Sequence, residues 1–366
     1  METDGEAAGG GESEKRTRTE GNSDGESATT EEISEGDEIT DDEQITELED
    51  VTEEERARWA KIDRQIEWKV LSEEEEMDNY RQDWEFGYTH RFGSFDKETE
   101  LSSMVSTYDT SVDAWAETAL QVYSIKVEKA KLRWPLHVYG MVDVRDAVDH
   151  RRNILFNRKR DNCQIITKMD PYLLLTGPSR AIVFLDPAVF EINLKVKGES
   201  EDKEALIHQT YWCNGGSRLG VMSCSNKRCK INLSFMELEE TVQATVMSVQ
   251  IIGGSWPSDF AGQVFCHDGS SPEQIVLLDF PDGKNPPVDQ SGNLDLSRRV
   301  VSVNLHSKMK VTIRGYSVCG GLKVTVGSDV VSFTPGQSGI TEGECDLGGL
   351  CQLKIKVAWS LLVVLE

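Results

Sequence analysis

Aromatic side chains are missing from the first fifty residues of this 366-residue chain, which Glu, Asp, Gly, Ser and Thr dominate. Such a segment cannot bury enough apolar surface to offset the entropy of ordering, so residues 1–50 are expected to form a disordered acidic tail. An excess of positive charge is missing as well. The net charge is −25, and its source is local: residues 1–60 hold 22 acidic and 5 basic side chains, whereas residues 101–366 hold 30 and 28. Nucleic acid is therefore not an expected partner, since phosphate binding needs a basic surplus. The tail should repel anionic membranes too, while keeping the protein in solution.

Long apolar runs are absent. The most apolar stretch, 357–365, falls far short of the ~20 residues that cross a bilayer as a helix. The start, Met1-Glu2-Thr3-Asp4, lacks both the basic and the apolar parts of a secretory signal. An intracellular setting, cytoplasmic or nuclear, is expected, with the eight cysteines as reduced thiols. Catalytic templates are missing too: no Gly-x-Ser-x-Gly elbow, phosphate-binding loop, His-Glu-x-x-His or dinucleotide fingerprint occurs. Six scattered histidines have no evident acid partner.

What is present begins with helical signals. Thr52 with Glu55 and Ser72 with Glu75 have the spacing of capping boxes. Trp59, Ile62 and Ile66 follow the first, and Met77, Tyr80 and Trp84 follow the second. One or two helices are expected over 52–84, docked on the following domain or binding a partner. Irregular chain is expected over 87–110, then a short amphipathic helix near 112–122, making 51–134 a helical and irregular lead-in. Beyond it, Phe190, Ile192, Leu194 and Val196 alternate with Glu191, Asn193, Lys195 and Lys197, the period of a strand with one wet face. The same alternation recurs at 301–306, 311–314 and 352–359. Further strand-like runs occupy 136–144, 172–176, 182–185, 231–238, 242–252, 274–280, 322–326 and 330–333. More than ten short strands with few helices between them predict an all-β fold, an antiparallel β-sandwich over 135–366.

The most distinctive text is Pro135-Leu136-His137-Val138-Tyr139-Gly140, then Val144-Arg145-Asp146, Asp149, Arg152-Asn153, Phe156-Asn157-Arg158 and Arg160-Asp161-Asn162-Cys163-Gln164. Leu175-Thr176-Gly177-Pro178-Ser179-Arg180 and the segment 190–198 continue it. Together these resemble the grass (Poaceae) family of uncharacterised plant proteins catalogued as domain of unknown function 6598, through to Val357-Ala358-Trp359-Ser360. The resemblance implies no agreed activity or catalytic residue. Some grass proteins carry such a domain beside a ribosome-inactivating rRNA N-glycosidase, which suggests a stress or defence setting.

Three constellations carry chemistry. Arg145, Asp149, Arg152, Arg160 and Arg180 are the ligand-binding candidates: arginine forks pair with carboxylates, or with an anion or phosphate if a turn holds them open. Cys213, Cys224 and Cys229 with His208 offer a single Cys-x4-Cys pair and loosely placed singles, a poor match to tetrahedral zinc, so no metal and no cofactor are expected. Glu55-Arg56 has the spacing of an N-glycosidase pair, but residues 1–134 cannot hold such a domain, and the pair reads as coincidence. No catalytic residue is nominated. The leading expectation is a non-catalytic module binding a protein or small ligand. The alternatives are an enzyme or partner linked to rRNA N-glycosidase activity, and an anion- or sugar-binding sandwich.

Overall fold

The computed structural model describes residues 52–53, 71–109, 111–198, 205–215, 219–257, 260–280, 286–319 and 322–364. The acidic segment 1–50, the expected helix carrying Trp59, Ile62 and Ile66, and Glu55-Arg56 lie outside the described residues.

Ser72 starts the helix Glu73–Phe92 through a reciprocal box: its hydroxyl accepts from the Glu75 amide at 3.2 Å, and the Glu75 carboxylate accepts from the Ser72 amide at 2.9 Å. Four glutamates in the first turn and His90 and Arg91 in the last complement the helix dipole. The helix runs on through Gly87 to Phe92, where irregular chain was expected. Its last turn is held from outside: Phe92 is buried, and Tyr88 stacks on the His150 ring at 4.0 Å. Gly93, at φ +86°, ends it.

The rest is antiparallel β-structure. Leu136–Arg145 lies at the centre of a five-stranded sheet, with Ala188–Val196 and Ala205–Cys213 on one side and Asn153–Arg158 and Gln164–Ile166 on the other. A seven-stranded sheet is organised by one strand of 26 residues, Cys229–Gly254. A four-stranded sheet orders Ile275–Phe280, Ala261–His267, Met309–Cys319 and Leu322–Phe333. The long strand was expected as two. Its first part pairs with Glu117–Ala130 and Leu219–Ser225, its second with Val300–Asn304 and Cys351–Ser360. The change of partners falls at Glu239 and Glu240, where the register slips and Glu240 takes φ +47°. That bulge re-aims the strand without ending it.

A strand serving two sets of partners builds two interiors rather than the single one a simple sandwich would enclose. The first gathers Leu120, Ile125, Val142, Phe156, Phe190, Ile231 and Leu233; the second gathers Val246, Val264, Leu277, Val311, Ile355 and Trp359. The expected helix near 112–122 is instead the start of the strand Glu117–Ala130. Over 119–123 both faces of that strand are buried: Leu120 and Val122 enter the first core, Tyr123 the second, and Gln121 accepts from the Ser302 amide at 2.8 Å. Burial on both faces erases the two-residue period and leaves a continuous apolar run that reads equally well as helix. Among the described residues, no helix is long and apolar enough to cross a membrane.

Candidate functional site

The loop after Leu136–Arg145 draws four of the five nominated residues together. Arg180, 5% exposed, donates from Nη1 and Nη2 to the two Asp146 oxygens at 2.6 and 2.8 Å and from Nη2 to Asp149 at 3.0 Å. The Thr99 hydroxyl takes the Arg180 Nε bond at 3.1 Å and donates to Asp149 at 2.6 Å. Asp146 also accepts the Val183 amide at 2.9 Å, which fixes the strand Ile182–Val183 beside it. Gly177 makes the approach of this turn feasible, because a Cβ there would stand 1.8 Å from the Ile154 carbonyl oxygen.

A second group sits beneath the helix. Arg145 pairs with Glu191 and donates to the carbonyls of His150 (2.8 Å) and Phe95 (2.7 Å), with its guanidinium 4.2 Å from the Phe95 ring centroid. Arg152 reaches Glu191 at 3.0 Å and Asp96 at 2.9 Å. Trp84 caps the cluster and donates its indole N–H to the His150 carbonyl at 3.0 Å. Burial lowers the pKa of the His150 imidazole, against the pull of Asp146 and Asp149. The arginine forks are therefore occupied by the protein's own carboxylates and carbonyls. Arg160, the fifth candidate, lies apart on the short turn Arg160–Asn162 and donates to the Gly198 carbonyl at 3.1 Å.

Asp143 is the exception within this cluster. It is fully buried opposite Glu191 in the sheet, neither of its oxygens has a hydrogen bond among the described residues, and Arg152 Nε stands 3.6 Å away. Burial first, then the neighbouring Glu191 charge, raises its pKa well above the ordinary carboxylate range. The folded state thus holds a proton that the unfolded chain releases near pH ~4, and stability from this group falls as pH rises from there toward the folded value. Asp143→Asn should be more stable than the parent at neutral pH, by on the order of 1 kcal/mol, with the gain shrinking toward pH ~4. Urea midpoints measured across that range check it, and a gain independent of pH contradicts it.

A cavity touching this network, lined by Leu101, Arg180, Gln243 and Ser360, has a volume of about 10 Å³, room for one water. A much larger pocket, about 530 Å³, lies elsewhere and is lined by Lys126, Lys129, Trp134, Lys168 and Pro171 with Glu128. Its walls are tied together: the Val127 amide donates to the Pro171 carbonyl at 3.0 Å, the Leu173 amide to the Ile125 carbonyl at 2.9 Å, and Lys126 Nζ lies 5.8 Å from the Tyr172 ring centroid. Glu128 is engaged by Lys230 at 2.7 Å and Asn232 at 3.0 Å, and the Lys230 bond holds its carboxyl below the usual range. None of these lysines was nominated from sequence. The signal was the run Lys126, Lys129, Lys131 and Arg133 leading into Trp134, hidden in a segment assigned to the lead-in.

Cys213, Cys224 and Cys229 are each buried in the first core, and burial raises their thiol pKa values, Cys224 to about 11 and Cys229 to about 12. Among the described residues, no group of three His, Cys, Asp or Glu side chains is placed to hold a metal ion.

The family pattern described as domain of unknown function 6598 matches residues 119–357. The chain belongs to the DUF6598 family. The match begins within Glu117–Ala130, so the DUF6598 region takes in most of that strand, the clustered arginines and the lysine pocket, whereas Trp84, Phe95, Asp96 and Thr99, which complete the arginine network, precede it. No curated protein matches the chain. Among solved structures, human GIVD cytosolic phospholipase A2 aligns at 8% identity over 69% of this chain and 33% of its own, with a TM-score of 0.21. The calcium-bound pair of C2 domains from extended-synaptotagmin 2 aligns at 8% identity over 70% of this chain and 100% of its own, with a TM-score of 0.25. This DUF6598 chain thus spans about a third of the phospholipase, and at such TM-scores neither likeness carries an argument about function.

Proposed function

We propose that this DUF6598 protein is a non-catalytic binding module whose ligand is an anion held at the lysine pocket. One observation carries the reading: three lysines and the Trp134 ring line an open volume of about 530 Å³, while the carboxylate in the lining, Glu128, is already bonded to Lys230. Unspent positive charge beside an aromatic wall attracts phosphate or carboxylate groups. The arginine candidates do not compete for that role, because Arg145 and Arg180 are buried and paired. The buried thiols, with raised pKa values, are poor nucleophiles, which supports a binding rather than a catalytic role. A plant stress or defence setting belongs to the same proposal and rests on the family resemblance alone.

Calorimetric titration with inositol hexakisphosphate, a soluble polyanion, tests it. Lys129→Gln and Lys168→Gln should each weaken binding about tenfold, the order of one lost charge-assisted hydrogen bond, while Arg160→Gln leaves it unchanged. Equal affinity in all four proteins sinks the proposal.

A further inference from the structure

We infer that the lysine pocket is the centre of a membrane-docking face that binds anionic phospholipid, resting on the anion-binding reading above. The argument starts from what surrounds the pocket. The loop that supplies Lys168 carries Met169 at its tip, and Met169 is 94% exposed. That loop is not slack: the Thr167 amide donates to the Asp170 carbonyl, and the Asp170 amide donates to the Thr167 hydroxyl, both at 3.0 Å. The neighbouring turn, which supplies Trp134, displays Leu132 between Lys131 and Arg133, all three exposed. It abuts the Lys227-Arg228 turn, since the Lys131 amide donates to the Arg228 carbonyl at 2.8 Å. Two turns that line the hollow therefore present exposed apolar side chains: Leu132 between Lys131 and Arg133, and Met169 between Lys168 and Asp170.

A ligand that merely filled the hollow would leave Met169 standing in water. A bilayer interface satisfies both features at once, because apolar tips enter the acyl boundary while lysines meet the headgroups. This favours a lipid surface over an acidic peptide or a free phosphate, which share the same anionic chemistry. The chain-wide negative charge, from which no membrane partner was expected, does not decide the matter: it resides mainly in the first hundred residues, and residues 101–366 are near balance, at 30 acidic and 28 basic. What acts at a surface within a Debye length is the local charge.

The experiment is co-sedimentation of the full chain with phosphatidylcholine vesicles, with and without phosphatidylserine, alongside the inositol hexakisphosphate titration. Binding should require phosphatidylserine, weaken with salt, and fall about fivefold for each of Lys129→Gln and Lys168→Gln. Met169→Ser should weaken vesicle binding yet leave the soluble polyanion's affinity unchanged. Three results overturn the membrane inference: no phosphatidylserine dependence, Met169→Ser binding vesicles as the parent does, or polyglutamate binding at the lysines in the absence of any vesicle binding. If the polyanion binds at the lysines and vesicles do not, the anion-binding reading survives without the membrane; if neither binds, both fall.

Discussion

Arg180→Ala should cost about 3–5 kcal/mol of stability, the loss expected when one partner is removed from a buried ion pair and the other is stranded. Two carboxylates are at stake. Asp146 would lose both of its guanidinium bonds and Asp149 one, in a site where Arg180 is 5% and each aspartate no more than 2% exposed. The damage extends further, because Asp146 also holds the Val183 amide and Asp149 accepts from Thr99. Arg180→Lys should be nearly as harmful, since an ammonium group cannot span both Asp146 oxygens with parallel bonds. Arg160→Ala, on the short turn away from the network, should stay within about 0.5 kcal/mol of the parent. Urea unfolding of the three variants tests this ordering. An Arg180→Ala midpoint equal to that of Arg160→Ala would mean the carboxylates find other partners, and the network would not be a clamp.

Arg298→Met should do the opposite and stabilise the protein, by about 1–4 kcal/mol. Arg298 is 2% exposed, and among the described residues its buried Nε has no hydrogen-bond partner and its guanidinium forms no ion pair. Desolvation brings its pKa down to about 10. Asp268, a buried carboxylate whose charge is felt by the same core, is committed elsewhere: it accepts from the Tyr123 hydroxyl and from the amides of Ser270 at 2.7 Å and Ser271 at 3.0 Å. A methionine of comparable length removes the desolvation cost and keeps the packing. Thermal and urea unfolding should both shift upward. A destabilised Arg298→Met would show that the guanidinium has a bonded partner in solution that offsets its burial.

Arg298 and Lys168 also show where reading the sequence reached its limit. Ser297-Arg298-Arg299 looks like an ordinary wet loop, yet one arginine of the pair is buried while its neighbour Arg299 bonds the Met247 carbonyl at 2.8 Å. Nothing in local composition distinguishes them, because burial is decided by the sheet that closes overhead. The arginine candidates were legible as a group, since Arg and Asp crowd one short segment and must pair with something. Which carboxylate takes which fork was not: Glu191 reaches Arg145 and Arg152 only because it lies opposite Asp143 in sheet register. The lysine pocket was missed because its walls come from the strand Glu117–Ala130, the turn holding Trp134 and the loop near Pro171, which the chain brings together only on folding.

Taken alone, the order of residues determined the all-β character, the capped start of the helix at Ser72 and the acidic composition of the N-terminal segment. Each of these depends on periodicity, capping or composition, which act over a few neighbouring positions. Only the folded chain decided that Cys229–Gly254 is one strand shared by two cores, and that a segment with helical spacing is a strand buried on both faces. It also decided that Arg145 and Arg180 are buried and paired while Lys126, Lys129 and Lys168 line a common hollow. Those outcomes depend on which distant strands pair, a choice set by the total apolar area enclosed and carried by no single window of the chain.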